Sequence, residues 1–480
     1  MSAPRIPRST RPKWIVAHFM VGNTYPYAVD DWQADIDLAS DYGFDGFALN
    51  VGREDWQLAR VADCFEAARR SLKPFKLFLS FDMASIPSGD RKDVALILGY
   101  LDRFARHPNY FVHASGIVVS TFAGQESFFG FPSLNEAWLH VKHAIEHCVK
   151  KPVHFIPSFF VDPRRYPSLT CMNGYFHWNG GWPLHLAPQS PRHEVHLPKL
   201  DSDQPHIAHL GRRTYMAAIS PWFFTHYGRE SWNKNWIYRS DDHLLIRRWE
   251  YLLSIRDDVD IVQFISWNDY GESHYISPPR GAQPNSQAWV DNCPHDSWLS
   301  LNSMFIQAFR NSSMYHKTDA GGVFNDVRLG LRLGTVPKET ENYIWMWARP
   351  HSKYAIATND SIRKPDNWEL TDDLFWVVTV TSSTHPTTLK LSTGGSDPQS
   401  VFYQIPPSHE QDDESPQREQ RRRRLSKFSH RLVPGESMRA ELIREGRIVA
   451  ACDPGPEFRF EREPRTYNFN AFVCTNLGNQ

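Results

Sequence analysis

The chain has 480 residues, 41% of them hydrophobic and 22% charged, more than a single core organises, so two domains are expected. A net charge of −1 offers no basic field to gather nucleic acid, and no stretch reaches the roughly 20 continuous apolar residues of a membrane span. Neither nucleic acid nor membrane is therefore an expected partner, and a monomer is expected.

Residues 1–12 are basic and proline-rich and read as a flexible tail. No apolar segment of signal-peptide type follows them, which predicts a cytoplasmic or unconventionally released protein. Trp14–Val21 is an apolar run that reads as a buried strand ending at Gly22-Asn23. Asp30-Asp31 then opens a helix carrying Trp32, Ile36 and Ala39. Gly46–Val51 is a second strand, and apolar residues at 58, 61, 65, 68 and 72 mark the next helix. Phe75–Phe81 is a third strand ending at Asp82, followed by a helix through Val94, Ile97, Leu101 and Phe104. Gly116–Ser120 is the fourth strand. Ser133-Leu-Asn-Glu136 is a capping box for a helix that buries Trp138, Val141, Ile145 and Cys148. Val153–Ser158 and Gly174–Trp178 are the fifth and sixth strands, and Asn179–Arg213 reads as a long polar loop. Tyr215–Ser220 is the seventh strand, with a helix from Asp241 through Leu245, Trp249 and Leu252. Ile261–Ile265 is the eighth, and a helix from Asp296 through Phe309 closes the set.

Short strands apolar on both faces, each followed by an amphipathic helix, eight times over residues 13–320, predict an α/β fold, a (β/α)8 TIM barrel. A doubly wound open sheet is the alternative. After about residue 321 helical periodicity disappears. Phe375–Thr381, Thr388–Leu391, Val401–Ile405, Arg439–Ile443 and Tyr467–Val473 are short strand-like pieces between turns, and residues 321–480 read as a C-terminal all-β sandwich. Residues 409–427 form a highly charged insertion expected to be disordered.

Chemistry in such a barrel belongs where strands end. The most informative stretch is Ser266-Trp-Asn-Asp-Tyr-Gly-Glu-Ser-His274, which follows the eighth strand. Asp269 and Glu272 are a candidate catalytic pair: acetal hydrolysis needs one protonated carboxyl for the leaving oxygen and one ionised carboxylate for water or carbon. The competing reading is a helix cap. His18, Asn50, Asp82, Trp178, Trp222, Trp267, Asn268 and Tyr270 are candidate substrate-binding residues, because each lies at or near a strand end. With 17 Trp, 18 Tyr and 30 Phe, indole faces for sugar rings are plausible, and burial in the core is the competing use. His143-Ala-Ile-Glu-His147 matches a zinc-peptidase pattern but falls on the solvent side of its helix, so no metal and no cofactor are expected. The six cysteines are scattered without metal spacing; Cys452 and Cys474 are candidates to pair.

His18-Phe-Met-Val-Gly-Asn-Thr-Tyr25, Gly43-Phe-Asp-Gly-Phe-Ala-Leu-Asn50, Ser266-Trp-Asn-Asp-Tyr-Gly-Glu-Ser273 and Trp345-Met-Trp-Ala-Arg-Pro-His351 resemble glycoside hydrolase family 71, the fungal α-1,3-glucanases or mutanases. The resemblance implies a (β/α)8 barrel with a β-sandwich and inverting hydrolysis of cell-wall α-1,3-glucan without a metal. It implies Asp269 and Glu272 as the catalytic pair, with Glu272 as acid and Asp269 as base. A catalytically silent carbohydrate-binding protein is the alternative.

Overall fold

The computed structural model describes residues 11–311, 342–383, 385–393, 399–407 and 423–477. Eight parallel strands alternate with helices along the first part: β1 (Trp14–Met20), β2 (Gly46–Val51), β3 (Lys76–Asp82), β4 (Gly116–Phe122), β5 (Val153–Ser158), β6 (Gly174–His177), β7 (Thr214–Ile219) and β8 (Ile261–Phe264). The main helices are α1 (Val29–Asp41), α2 (Gln57–Arg70), α3 (Val94–Phe104), α4 (Leu134–Val149), α5 (Asp203–Leu210), α6 (Leu244–Ser254) and α7 (Ser297–Arg310).

The strands form one curled sheet in the spatial order β5-β4-β3-β2-β1-β8-β7-β6. Sequence neighbours are thus spatial neighbours, and β1 pairs with β8 from Trp14↔Ile261 to Ala17↔Phe264. The two outermost strands approach each other through Asn173, whose N–H donates to Phe155 O at 2.8 Å. Its Oδ1 accepts the Phe155 N–H at 3.0 Å. Strands β2, β5 and β7 are buried along their whole length, as expected of strands covered on both faces.

The stretch expected as one polar loop, 179–213, contains α5 and the short helix Arg192–His196. Asp203 at the start of α5 accepts a buried bidentate pair from Arg248 at 2.5 and 2.9 Å, a tertiary contact with no local signature. His143 and His147 are exposed on α4, as the helical arithmetic requires.

The C-terminal part has two four-stranded antiparallel sheets. One has the order β13 (Arg424–Arg431), β10 (Leu374–Thr381), β9 (Asn342–Ala348), β16 (Phe472–Thr475). The other has the order β12 (Ser400–Ile405), β11 (Thr387–Thr393), β14 (Met438–Arg444), β15 (Arg447–Cys452). Strand β9 is buried on both faces by period-two alternation. Tyr343, Trp345 and Trp347 pack on the α/β part, while Ile344, Met346 and Ala348 pack on the second sheet. Trp345 Nε1 donates to Ser300 Oγ of α7 at 2.9 Å. The first sheet is therefore a middle layer rather than half of an isolated sandwich.

Two expectations need correction. Arg424–Lys427, the described end of the charged stretch, is the start of β13, and Lys427 pairs with Glu250 of α6 at 2.8 Å. The rest of that stretch, the first ten residues of the tail and the boundary near 320 lie outside the described residues. Residues 467–471 are not a strand, because their backbone bonds are spent elsewhere: Phe469 O accepts Trp222 Nε1–H at 2.9 Å and Ala471 O faces His295 Nε2 at 2.9 Å. Among the described residues no helix is long and apolar enough to cross a membrane.

The Cys452 and Cys474 sulfurs, one in each sheet, lie 3.6 Å apart. Their mutual hydrogen bond and burial keep the Cys474 thiol well above its ordinary range, which slows thiolate attack. With a small-molecule disulfide as oxidant, non-reducing peptide mapping is expected to recover the two as a cross-linked pair. The bridge is expected to raise stability by about 2–4 kcal/mol in denaturant titrations. Recovery of both as separate alkylated thiols after prolonged oxidation would refute the pairing.

Candidate active site

Beyond Phe264 the chain leaves the ladder, with a cis peptide between Ile265 and Ser266. Residues 265–277 fold into a compact loop. Ser266 N–H donates to His274 O at 2.8 Å, and the N–H groups of Ile276 and Ser277 converge on Trp267 O at 3.2 and 3.0 Å. Asn268 ties the loop to β1. Its Oδ1 accepts the Met20 N–H at 2.7 Å and its Nδ2 donates to Met20 O at 3.1 Å. Trp267 is fully buried against Phe44 and Phe47. Tyr270 is fully buried too, its hydroxyl donating to Pro278 O at 3.3 Å and accepting the Arg280 N–H at 2.8 Å.

These anchors leave Asp269 and Glu272 facing the opening, each side chain 18% exposed. Glu272 N–H donates to Asp269 Oδ1 at 3.3 Å. One oxygen of each carboxyl and one His274 ring nitrogen all lie within 4.8 Å of one another. Ser266 Oγ accepts the Asp269 N–H at 2.8 Å and lies 2.9 Å from His274 Nδ1. With the Ser266 hydroxyl donating to Nδ1, the ring carries its proton on Nε2 and donates it to Glu272 Oε2 at 3.2 Å. Lys234 Nζ donates to the other oxygen, Oε1, at 2.8 Å.

The two carboxyls are driven apart in acidity. Burial and the neighbouring Glu272 charge push Asp269 up to about 6. Burial also opposes ionisation of Glu272, but the His274 hydrogen bond and the Lys234 ammonium outweigh it and hold that carboxyl at about 2. One protonated and one ionised carboxyl side by side is the arrangement that acetal cleavage requires. Asp269, Glu272 and His274 offer a cation one ligand atom each, but Lys234 already supplies positive charge to the cluster.

The pair opens into a pocket of about 520 Å³ that also takes in Asn50, Asp82, Trp56, Trp232 and Lys234. Burial raises Asp82 above the ordinary carboxylate range, although its Oδ1 accepts the Ala84 N–H at 3.0 Å. Trp232 is 54% exposed, and Tyr25, 68% exposed, stands edge-on to Trp56 at 5.2 Å. Trp56 and Trp232 put indole rings on the pocket wall, Trp232 edge-on to Tyr227 at 4.6 Å.

The structure thus brings Asp269, Glu272, Asn50 and Asp82 to one pocket. Trp178 is half-buried beside it, edge-on to His18 and Phe122 at 4.8 and 4.7 Å. Five expected contact residues are corrected. Trp222 is buried beneath the C-terminal part, where its Nε1 meets Phe469 O. Trp267, Asn268 and Tyr270 shape the loop from within, since backbone this irregular needs buried side chains to satisfy it. His18 is buried under the opening, 3.4 Å from Gln263, and burial drives it down to about 3, so its ring is neutral.

Lys234, His274, Trp56 and Trp232 escaped the sequence reading. The signal for two of them was present in the aromatic-rich run Tyr227…Trp232-Asn-Lys…Trp236…Tyr238, which has the composition of a binding loop. It folds into the hairpin Phe224–His226 and Asn235–Ile237. Gly271 lies so close under Tyr227 that a Cβ there would sit 2.1 Å from its hydroxyl oxygen, so the loop and hairpin fit together only with glycine at that position.

A family model described as glycosyl hydrolase family 71 matches residues 11–480. The chain is 35% identical to the glucan endo-1,3-alpha-glucosidase agn1 of Schizosaccharomyces pombe, over 76% of this chain and 77% of that one. It is 31% identical to a mutanase of Penicillium rubens, over 82% and 77%. It is 30% identical to the ascus wall endo-1,3-alpha-glucanase of Schizosaccharomyces pombe, over 80% and 82%. With a family model spanning almost its whole length, and two close carboxyls of opposed ionisation at the mouth of its sheet, the chain belongs to glycosyl hydrolase family 71.

Proposed function

We propose that the protein hydrolyses α-1,3-glucosidic bonds in the α-1,3-glucan of fungal cell walls, with Asp269 and Glu272 as its acid/base pair. The observation that carries this reading is the opposed ionisation of two adjacent carboxyls in a pocket edged by open indole faces. The substrate follows from what the relatives are named for. We also propose that the eight strands form a closed (β/α)8 barrel, supported by the β1–β8 pairing and the Asn173–Phe155 bonds between the outermost strands.

In this mechanism Asp269, held protonated, gives its proton to the glycosidic oxygen as the C–O bond breaks. Glu272, held ionised, takes a proton from the water that attacks the anomeric carbon from the opposite face, which inverts the configuration. This division of labour reverses the one the motif implies; Lys234 and His274 are its cause, because both stabilise charge on Glu272 rather than on Asp269. Asp82 receives a sugar hydroxyl at the pocket wall.

One observation favours a second outcome. Oxygens of the two carboxyls lie within 4.8 Å, nearer to the roughly 5–5.5 Å of retaining pairs than to the 6.5–9.5 Å of inverting ones. Proton NMR of the first products from a defined α-1,3-glucan separates the two. A β-anomeric first product is expected, and an α-anomeric one would establish retention.

The pH dependence tests the pair directly. Activity requires Glu272 ionised and Asp269 protonated, so kcat/KM is expected to rise through the acidity of Glu272, about 2, and to fall through that of Asp269, about 6. A profile still climbing above neutral pH would reject this assignment. Asp269→Asn and Glu272→Gln are each expected to lower kcat on the glucan by about 10²–10⁴-fold. Only Asp269→Asn is expected to recover on an aryl glycoside, whose leaving group needs no protonation. Recovery in Glu272→Gln instead would exchange the two roles, and glucan binding without turnover in the unmodified protein would make it the silent binding protein.

A further inference from the structure

The C-terminal part reaches the catalytic hairpin. Its segment 358–367 meets Asn235–Ile237 at one isolated parallel bridge, Trp236↔Asp366: Ile237 N–H donates to Asp366 O and Asp366 N–H to Asn235 O, both at 3.0 Å. Asn235 Nδ2 donates to Arg363 O at 2.8 Å and Asn367 Nδ2 to Ile237 O at 3.2 Å. At the centre His226 is buried between Asn235 Oδ1, 2.7 Å from its Nδ1, and Asp360 Oδ2, 2.9 Å from its Nε2. Asp360 and His226 are 6% and 4% exposed. Asp360 also accepts the Ile362 N–H on Oδ1 at 2.9 Å and the Tyr467 N–H on Oδ2 at 2.8 Å, so it is fixed from its own side. Besides the Tyr227–Gly271 contact, the hairpin meets the catalytic loop where Phe224 N–H donates to Glu272 O at 3.2 Å and where Lys234 reaches the Glu272 carboxylate.

We infer that the C-terminal part is a working component of the active site, in which Asp360 acts through His226 as a positioning residue that holds Lys234 against Glu272. This role rests on the proposed acid/base reading of Glu272. Lys234 is 44% exposed and extends from a short hairpin, a geometry that by itself leaves a lysine side chain many rotamers. The bridge at Asp366, the Asn235 and Asn367 amide bonds and the buried His226–Asp360 pair hold the backbone beneath it. A β-region that only shielded the core would have no reason to place a buried carboxylate on a hairpin histidine.

The groups facing Glu272 are Lys234 and Tyr238 on or beside the hairpin, Asp269 and His274 on its own loop, His18 on β1, and Tyr227 across from Gly271. Of these only Lys234 is a fixed cation delivered by the hairpin. Displacing it weakens the acidity of Glu272, raising its pKa toward ordinary values, so the acidic limb of kcat/KM moves to higher pH.

The test uses full-length Asp360→Ala, Lys234→Met and the double variant, with hydrogen–deuterium exchange and pH profiles on α-1,3-glucan. Asp360→Ala is expected to speed exchange in residues 224–237. It is also expected to shift the acidic limb upward by roughly one pH unit, lower kcat about tenfold and change KM less than about twofold. Adding it to Lys234→Met is expected to move the limb no further. Unchanged exchange in 224–237, or an undiminished second shift in the double variant, would overturn the inference. Faster exchange in a protein whose unmodified form turns over no glucan would instead remove the functional reading and leave the hairpin brace standing. If Asp360→Ala does not fold, Asn235→Ala, which removes the contacts to His226 and Arg363, is judged by the same outcomes.

Discussion

Two carboxyls held within 4.8 Å in a pocket largely shielded from water cannot both carry uncompensated charge. The molecule resolves this by keeping a proton on one and bringing a cation and a hydrogen-bond donor to the other. Asp269 receives neither a direct cation contact nor a side-chain donor closer than the 4.0 Å approach of His274, so its proton is retained to about pH 6. Glu272 receives Lys234 on one oxygen and His274 on the other. That asymmetry is what turns a pair of acids into an acid and a base.

Each contribution comes from a different level of the structure. His274 is local, brought back by the closed 265–277 loop and oriented by Ser266 two positions after the ladder ends. Lys234 is distant, carried on a hairpin that follows β7. The hairpin in turn depends on residues more than a hundred positions later, through Asp360, Arg363 and Asp366. The middle sheet that anchors this region is itself locked to the α/β part. Arg349 donates to buried Asp241 at 2.7 Å, and Arg239 to Asp372 at 2.8 Å. Arg239 also lies 3.7 Å from Asp241, so the four side chains form one connected network rather than two separate pairs. The relative placement of sheet and hairpin is therefore stiff where the active site needs it to be.

The buried aromatics of the Trp267–Tyr270 segment show why a motif can be right about a site and wrong about a role. A loop that leaves a parallel sheet exposes several backbone groups at once, and these need partners inside the protein. Asn268 provides them for Met20, and Tyr270 for Arg280 and Pro278. The residues beside the acids are occupied in holding the acids, and the indole rings on the pocket wall, Trp56 and Trp232, come from other loops.

The sequence by itself determined the eight strands and the helices that follow β1, β2, β3, β4, β7 and β8, because period-two and period-3.6 patterning is written into each element's own residues. It determined Asp269 and Glu272 as well, because both lie within one short motif at a strand end. It also placed Asp82 and Asn50 at strand ends, where both line the pocket, since the end of a parallel strand fixes where its next residue goes. It did not separate an exposed tryptophan from a buried one, as burial depends on what packs above. Nor did it reveal β9's two-sided burial, the strand start at Arg424, or the helix at 203–210, each stabilised by contacts far away in sequence. Only the tertiary structure decided which carboxyl keeps its proton, because an acidity is set by the charges and the water around a group, and Lys234 comes to Glu272 from a separate hairpin 38 positions away in sequence.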